Sequence, residues 1–326
     1  MLCALFSCLA LASAPIQDKV LICGIGKNVE LATPNTIASI TALGSRFSDY
    51  RAIIYENNSK DKTKELFQAW AKENPKVIFL SEHLKKSPFL DRTEKIARAR
   101  NKVLDEIMKK TYEDYKYVIW ADLDFLAPWD VEHIVETITN PEQEWDAVFA
   151  NGSYDLFAFR DEEFPIGSEL IGPDYWGYTP QLSINLSTHW KKVYSAFGGL
   201  GIYKREALKG CCYSGTVTKD LEAQVAKWLE RARALKQVTL LKEYEEKLKS
   251  KPIVELSTDR FVTREWFVTE FGLKMHNIYG SGQVVWFSCN KDRSLPIVCE
   301  HLPLHASMAE RGHNRLFINP RILVQP

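Results

Sequence analysis

Five short apolar runs, separated by segments of helical periodicity, fill the first 150 residues and constrain the fold more than any other feature. The runs are 19–25 (KVLICGI), 50–55 (YRAIIY), 76–80 (KVIFL), 117–120 (YVIW) and 145–150 (WDAVFA). Each is short, rich in β-branched or aromatic residues and bounded by polar or glycine positions, the pattern of a strand buried on both faces. Between them, 34–43, 64–73, 92–109 and 131–139 read as helices. Thr33 is the expected N-cap and Gly44 the expected stop of the first, and Ile96, Ala99, Val103, Leu104 and Ile107 mark the buried stripe of the third. Strands alternating with helices predict an α/β fold with a mostly parallel sheet covered on both sides. In such sheets a ligand binds beyond the carboxyl ends of the strands.

The second half is less regular. Residues 151–200 are rich in aromatic residues, glycine and proline. From Asp220 to Leu248 apolar residues recur at three- and four-residue spacing, which predicts an amphipathic helix or a helix pair. That segment reads as an insertion at about 216–260, with plain packing, a lid and a dimer seam as its possible uses. The chain is thus expected to be one domain over 19–326, preceded by an apolar segment over 1–18. Within that segment, Leu2 to Ala14 ends in an A-x-A pattern that fits a signal-peptide cleavage site, though no basic residues precede it. Export through a secretory pathway follows if that reading holds, and a cytoplasmic location if it does not. The sequons at Asn57, Asn151 and Asn185 add little, and a glycan at the first would obstruct the strand-end motif described below.

Composition removes several classes of function. The chain has 42 basic and 42 acidic side chains, a formal net charge of zero. The usual compositional sign of a general nucleic-acid binder, a broad excess of basic charge, is therefore missing. No run reaches the ~18–20 apolar residues that span a bilayer. Seven cysteines without a C-x-x-C pair indicate neither a zinc knuckle nor a thioredoxin-type centre. If the protein handles anions, it does so with a local cluster or a metal.

Three strand-end or helix motifs carry chemistry. Asp122-Leu123-Asp124 follows YVIW, and alternation in an extended segment points both carboxylates to one side. Paired carboxylates suit a hard divalent cation that keeps positions open for phosphate oxygens. Glu56 to Thr63 (ENNSKDKT) follows YRAIIY. It reads either as a turn with Asp61 or Ser59 capping the next helix, or as a set of carboxylate and amide groups for a base and ribose. Arg98-Ala99-Arg100-Asn101 lies in the helix before the D-x-D, where the arginines either form a solvated face or meet a diphosphate or base.

In that order, the three elements resemble the GT-A glycosyltransferases, especially the family 2-like and fungal capsule-associated mannosyltransferase branches. There the turn reads roughly D-D-x-S-x-D-x-T. Glu56 keeps an acid at the first position, and Asn57 departs from the second. The resemblance implies that Glu56, with Asn58 and Asp61 in the same turn, serves the nucleotide and that Arg100 lies near it. It also implies that Asp122 and Asp124 hold Mn²⁺ or Mg²⁺ on the diphosphate of a UDP- or GDP-sugar, from which sugar passes to a glycan or other hydroxyl acceptor. Ser195 to Lys204 (SAFGGLGIYK) resembles the glycine-containing segment beside the donor sugar, with Gly198 and Gly199 at its centre. Asp155 and Trp176 fall where sugar hydroxyls are held. Glu300-His301 stands where the family has an acidic dipeptide, with His301 in place of the usual aspartate base. Glu300 or His301 is then the base, or His301 is a third metal ligand, and His305 lies one turn on. The likeness covers about 19–210 and 280–322.

Two other readings compete with catalysis by transfer. Asn57 and His301 also suit a catalytically silent carbohydrate- or nucleotide-sugar-binding protein of the same fold. A sugar nucleotidyltransferase requires a longer basic glycine-rich loop than Gly24 to Asn28, and a dehydrogenase requires G-x-G-x-x-G after the first strand, which is missing.

Overall fold

The computed structural model describes residues 15–85, 91–152, 155–172, 175, 189–235, 239–249, 261–269, 272–280, 285–288 and 296–324. The apolar N-terminal segment, Trp176 and the Asn185 sequon lie outside them.

The elements follow the expected alternation: β1 (Ile16–Gly26), α1 (Thr33–Gly44), β2 (Phe47–Asn57), α2 (Thr63–Glu73), β3 (Val77–Glu82), α3 (Arg92–Ile107), β4 (Tyr115–Asp122), α4 (Val131–Thr139) and β5 (Ala147–Phe149). The second half adds α5 (Ser168–Ile171), β6 (Lys191–Val193), β7 (Leu200–Lys204), α6 (Lys219–Leu235), α7 (Thr239–Lys249), β8 (Phe261–Thr269), β9 (Gly272–Gly280), β10 (Val285–Ser288), α8 (His301–Glu310) and β11 (Leu316–Ile318). Eight strands form one sheet in the order β3-β2-β1-β4-β7-β5-β11-β6. The first four are parallel, β7 runs antiparallel between β4 and β5, and β11 is parallel to β5.

Alternation within the strands sorts the core into two layers. Leu21, Cys23, Ile53, Tyr55, Val118 and Trp120 face the layer covered by α3, α6 and α8. Val20, Ile22, Ala52, Ile54, Tyr117 and Ile119 face the layer covered by α1, α2 and α4. Both sides of the central strands are thereby removed from water, which is why they read as nearly unbroken apolar runs.

One local expectation changes. Thr33 is the first helical residue of α1 rather than its cap, and its hydroxyl donates to the Val29 carbonyl at 2.8 Å. The 220–248 segment is a helix pair whose buried residues, among them Leu221, Val225 and Trp228, join the main core. Trp228 stacks on Tyr194 with ring centroids 5.0 Å apart. It packs on the domain, against α8. The sequence reading contained no counterpart of the antiparallel sheet β10-β9-β8.

Candidate active site

The carboxyl ends of β1, β2 and β4 open into a cavity of about 810 Å³. Its charge is divided between two poles. At one, Lys27 after β1 and Arg92, Lys95 and Arg98 from α3 accompany Tyr55, Asn57 and Asn58 from the end of β2. At the other, Asp122, Asp124, Asp155 and Glu300 converge with Arg100 and His301, and Phe157 and Phe197 complete the wall.

The D-L-D segment is set by its middle residue. Leu123 is 1% exposed and packs over β1 at Gly24, where a Cβ would lie 2.3 Å from the Leu123 Cδ2. Burying the leucine leaves the two flanking aspartates on the cavity side. Asp122 is further fixed by its backbone N–H, which donates to the Gly199 carbonyl at 2.8 Å.

Arg100 is the internal countercharge. It is 4% exposed, and its Nε donates to Glu300 Oε1 at 3.1 Å while Nη2 donates to Asp122 Oδ1 at 3.2 Å. The guanidinium lies 4.8 Å from the Phe197 ring centroid, with Trp120 and Tyr213 at 5.6 and 5.7 Å. Among the described residues its Nη1 has no partner. One guanidinium does not neutralise this pole. Burial pushes the Asp122 carboxyl up to about 7; Arg100 opposes the rise, and Asp124, Asp155 and Glu300 add to it. Burial, then Glu300, push Asp155 up to about 6 against Arg100.

His301 is 2% exposed and stacked on Phe197 at 4.1 Å, with the Tyr213 ring edge-on at 5.6 Å. Neither ring nitrogen has a hydrogen-bond partner among the described residues, and Nε2 stops 3.6 Å from Glu300 Oε1. Burial, then the Arg100 charge, hold its pKa well below the usual histidine value. Both conditions favour the neutral imidazole. Among the described residues no three His, Cys, Asp or Glu side chains are grouped to hold a metal, so His301 is not gathered with Asp122 and Asp124 into a three-ligand set.

Residues 26–211 match the profile of glycosyl transferase family 2, over half of the chain. The chain belongs to glycosyl transferase family 2. It is accordingly a glycosyltransferase that draws on a nucleotide-sugar. No curated protein matches it. Solved structures similar to it include a mannosyltransferase from Pyrobaculum calidifontis in complex with GDP-Man and Mn²⁺ (14% identity, 73% of this chain and 67% of that one, TM-score 0.39). Two others are glucosyl-3-phosphoglycerate synthase from Mycobacterium tuberculosis with Mn²⁺ and UDP (15%, 68% and 68%, 0.37) and mannosyl-3-phosphoglycerate synthase from Rubrobacter xylanophilus (15%, 82% and 86%, 0.38).

In this glycosyltransferase the ENNSKDKT turn divides its labour differently from the sequence expectation. Glu56 is 1% exposed and does not line the cavity; its Oε1 accepts from the Ser59 N–H at 2.6 Å and its Oε2 from the Ser81 hydroxyl at 3.0 Å. Side chains at 59, 61 and 63 clasp the loop after β1. Ser59 Oγ accepts from the Asn28 N–H, Thr63 Oγ1 from Val29 and Asp61 Oδ2 from Glu30, at 3.1, 2.7 and 3.1 Å. Three successive backbone donors would otherwise lack protein partners. Asp61 Oδ1 also accepts from the Thr63 N–H at 3.1 Å, so both of its oxygens serve the backbone. Asn58 lines the cavity, but its amide is tied to both backbone groups of Leu84 at 3.0 Å. Asn57, singled out in the sequence only as a departure, is the residue of this turn whose amide is free of such backbone bonds and lines the cavity.

Gly198 and Gly199 adopt left-handed backbone, with φ of 60° and 84°. They shape the wall from behind, and Phe197 is what reaches the cavity. His305 is fully buried, with Ser195 Oγ 2.9 Å from Nδ1 and Tyr203 Oη 3.1 Å from Nε2, a satisfied core histidine. Lys27, Tyr55, Arg92, Lys95, Phe157 and Phe197 were not expected in the site. Period-two alternation at the end of β2 is the signal that puts Tyr55 and Asn57, and not Glu56, on the cavity face.

Proposed function

We propose that this protein transfers a hexosyl group from a nucleotide diphosphate sugar to a hydroxyl acceptor, with Mn²⁺ or Mg²⁺ held at Asp122 and Asp124. The observation that carries this is the two-pole cavity at the strand ends. Four carboxylates line its acidic side, Arg100 is bonded to only two of them, and the excess negative charge favours an added cation. Hard carboxylate oxygens at a strand end, open on the cavity side, fit a divalent ion that shares its remaining positions with diphosphate oxygens. When bound, such an ion supplies Lewis-acid stabilisation of the leaving diphosphate.

The protein's own residues do the rest. Asn57 and the Arg92 and Lys95 cations receive the nucleoside end through hydrogen bonds and charge, beside Arg98, which is held by Glu82 at 2.6 Å and by the Tyr55 hydroxyl at 3.1 Å. Arg100 keeps Asp122 and Glu300 in fixed positions and adds positive charge beside the leaving group. Phe157 and Phe197 give an apolar wall that limits water near the anomeric carbon. The likeness to capsule-associated mannosyltransferases makes GDP-mannose the first donor to test and UDP-hexoses the next.

Incubating the purified full chain with GDP- and UDP-sugars, glycan acceptors and Mn²⁺ tests this reading. Transfer that requires metal and is lost in Asp124→Asn, with Tm unchanged, is the expected result. Full activity in that variant removes the metal assignment. Tight donor binding without any transfer or donor hydrolysis removes the catalytic one.

A further inference from the structure

We propose that the rim of the strand-end cavity docks on an anionic lipid surface. Leu31, Leu126 and Leu323 enter the headgroup region, and the basic residues at the ends of β1, β2 and β3 meet the lipid charge. This goes beyond the glycosyl-transfer reading and does not depend on it, because docking is measured without donor or metal.

Among the described residues four large apolar side chains are exposed: Leu31 at 84%, Leu126 at 56%, Leu323 at 50% and Leu235 at 43%. A single exposed leucine is ordinary. Three of these four lie on connections that leave the carboxyl edge of the sheet, where the cavity opens. Leu31 stands in the turn between β1 and α1, and Leu126 is two residues beyond Asp124 on the way from β4 to α4. Leu323 follows Ile322, whose carbonyl accepts from the Asn151 N–H at 2.9 Å just past the ends of β5 and β11. Each has a buried neighbour in the chain, Ala32, Phe125 and Ile322 respectively. Asn35, one helical turn after Leu31, donates from Nδ2 to the Leu126 carbonyl, and Thr36 Oγ1 donates to the Leu123 carbonyl at 3.2 Å. The first two leucines therefore stand outward on turns that are anchored to each other.

Charge sorts in the same direction. Lys27, Lys60, Lys62, Lys85, Arg92 and Lys95 occupy the connections after β1, β2 and β3 and the start of α3, and all six are exposed. The acidic residues of the same stretches, Glu30, Asp61, Asp91 and Glu94, are only partly exposed. Two of them are turned onto backbone: Glu30 Oε2 accepts from the Lys62 N–H at 3.1 Å, and Asp61 accepts from the Glu30 and Thr63 N–H groups. Asp124, the exposed acid nearest Leu126 in the chain, lines the cavity. A chain of zero net charge thus presents basic groups outward along this edge.

Exposed leucines beside lysines suit an anionic bilayer, in which apolar side chains enter the headgroup boundary and each nearby basic residue adds attraction. The leucines stand on three separate connections and not along one helix or strand, which suits a fluid surface that adapts to their spacing. The proposed contact is peripheral; among the described residues no helix is long and apolar enough to cross a membrane. Docking of this edge sets the cavity mouth against the lipid.

The experiment is co-sedimentation of the full chain with vesicles of phosphatidylcholine alone, or of phosphatidylcholine and phosphatidylserine at roughly 2:1. Wild type is expected to sediment with the anionic vesicles and not the neutral ones, and to be released near 1 M salt, where the Debye length falls to about 3 Å. Leu31→Ser/Leu126→Ser should bind at least about tenfold more weakly. Lys60→Gln/Lys62→Gln should lose about 20- to 30-fold, at roughly fivefold per residue. Both double variants should keep the wild-type Tm, since all four side chains are exposed. Leu235→Ser, on α6, should bind like wild type. Equal binding to both vesicle types, undiminished binding by the Leu31/Leu126 variant, or an equal loss in Leu235→Ser overturns the proposal. So does self-association without lipid that the Leu31/Leu126 variant abolishes, which would make this edge an interface between copies of the chain. A wild type that docks on anionic vesicles but transfers no sugar supports the docking surface and removes only the catalytic reading.

Discussion

Replacing Arg100 with methionine tests the architecture of the acidic pole most directly. The substitution keeps length and apolar character while removing the charge. Arg100 and Glu300 side chains are 5% and 9% exposed, so the pair sits in a region of weak solvent screening. The Asp122 side chain, at 30%, is less enclosed than these two and contributes less. Removing one member of a buried pair leaves the other uncompensated, at a cost of about 3–5 kcal/mol. The lost guanidinium–ring contact with Phe197 adds about 0.5–2 kcal/mol. Against a native stability of roughly 5–15 kcal/mol, the single variant should be severely weakened in urea unfolding with chelator present. Most of that cost is the stranded Glu300 charge. The double variant Arg100→Met, Glu300→Gln should therefore be more stable than Arg100→Met alone, by about 1.5–3 kcal/mol, since a neutral amide replaces the unpaired charge. A single variant within about 1 kcal/mol of wild type, or a double variant that loses the sum of the two singles, would refute the account of Arg100 as the countercharge of this pole.

Three further outcomes are expected. Glu56→Gln turns one acceptor into a donor facing the Ser59 N–H or the Ser81 hydroxyl. Unfolding free energy should fall by about 1–3 kcal/mol, while the variant, once folded, keeps its donor KM; a raised KM at full stability would put Glu56 back among the donor contacts. Gly198→Ala places a Cβ 2.3 Å from the Ala150 carbonyl oxygen at φ of 60°. Stability should fall by more than the roughly 1 kcal/mol of a left-handed alanine, and thermal unfolding checks this. In metal-free protein, Asp122 and Asp155 bind protons more tightly folded than unfolded, at about 7 and about 6 against an ordinary 3.8. Native protein then holds protons the unfolded chain has released, so their contribution to stability falls as pH rises from about 4 to about 7 and levels off above. Urea midpoints of wild type and Asp122→Asn/Asp155→Asn should converge toward the acid end of that window, and parallel curves would contradict the sign.

The first four strands were legible because burial on both faces leaves an unbroken apolar run, a signal independent of neighbours. The D-L-D pair was legible for a similar local reason: a buried leucine at a strand end forces its flanking residues to one side. The ENNSKDKT turn misled because its polar groups look alike in sequence whether they meet a ligand or a backbone. Only the tertiary approach of the β1 loop shows that Ser59, Asp61 and Thr63 answer the N–H groups of Asn28, Val29 and Glu30. The hairpin strands β8 and β9 escaped notice because charged residues such as Arg264, Glu265 and Lys274 interrupt their apolar positions. The basic side was hidden for a geometric reason: Lys27 and Arg92 are 65 positions apart in sequence and come to line one cavity only through the strand order β2-β1-β4.

The zero net charge of the chain conceals this separation of charge inside one cavity. Carboxylates gathered in a partly buried space repel one another, and the fold offsets that cost by a single built-in cation, Arg100, bonded to two of the four. The remainder is left uncompensated at the place where a metal-bound diphosphate is proposed to sit. A fully neutralised pole would be more stable and would attract no cation. An acidic pole without Arg100 would lose the pairing that holds Asp122 and Glu300 in place. The arrangement thus ties recruitment of a cation to the charge that Arg100 leaves unpaired, and a variant that adds a second fixed cation beside Asp155 should weaken metal binding.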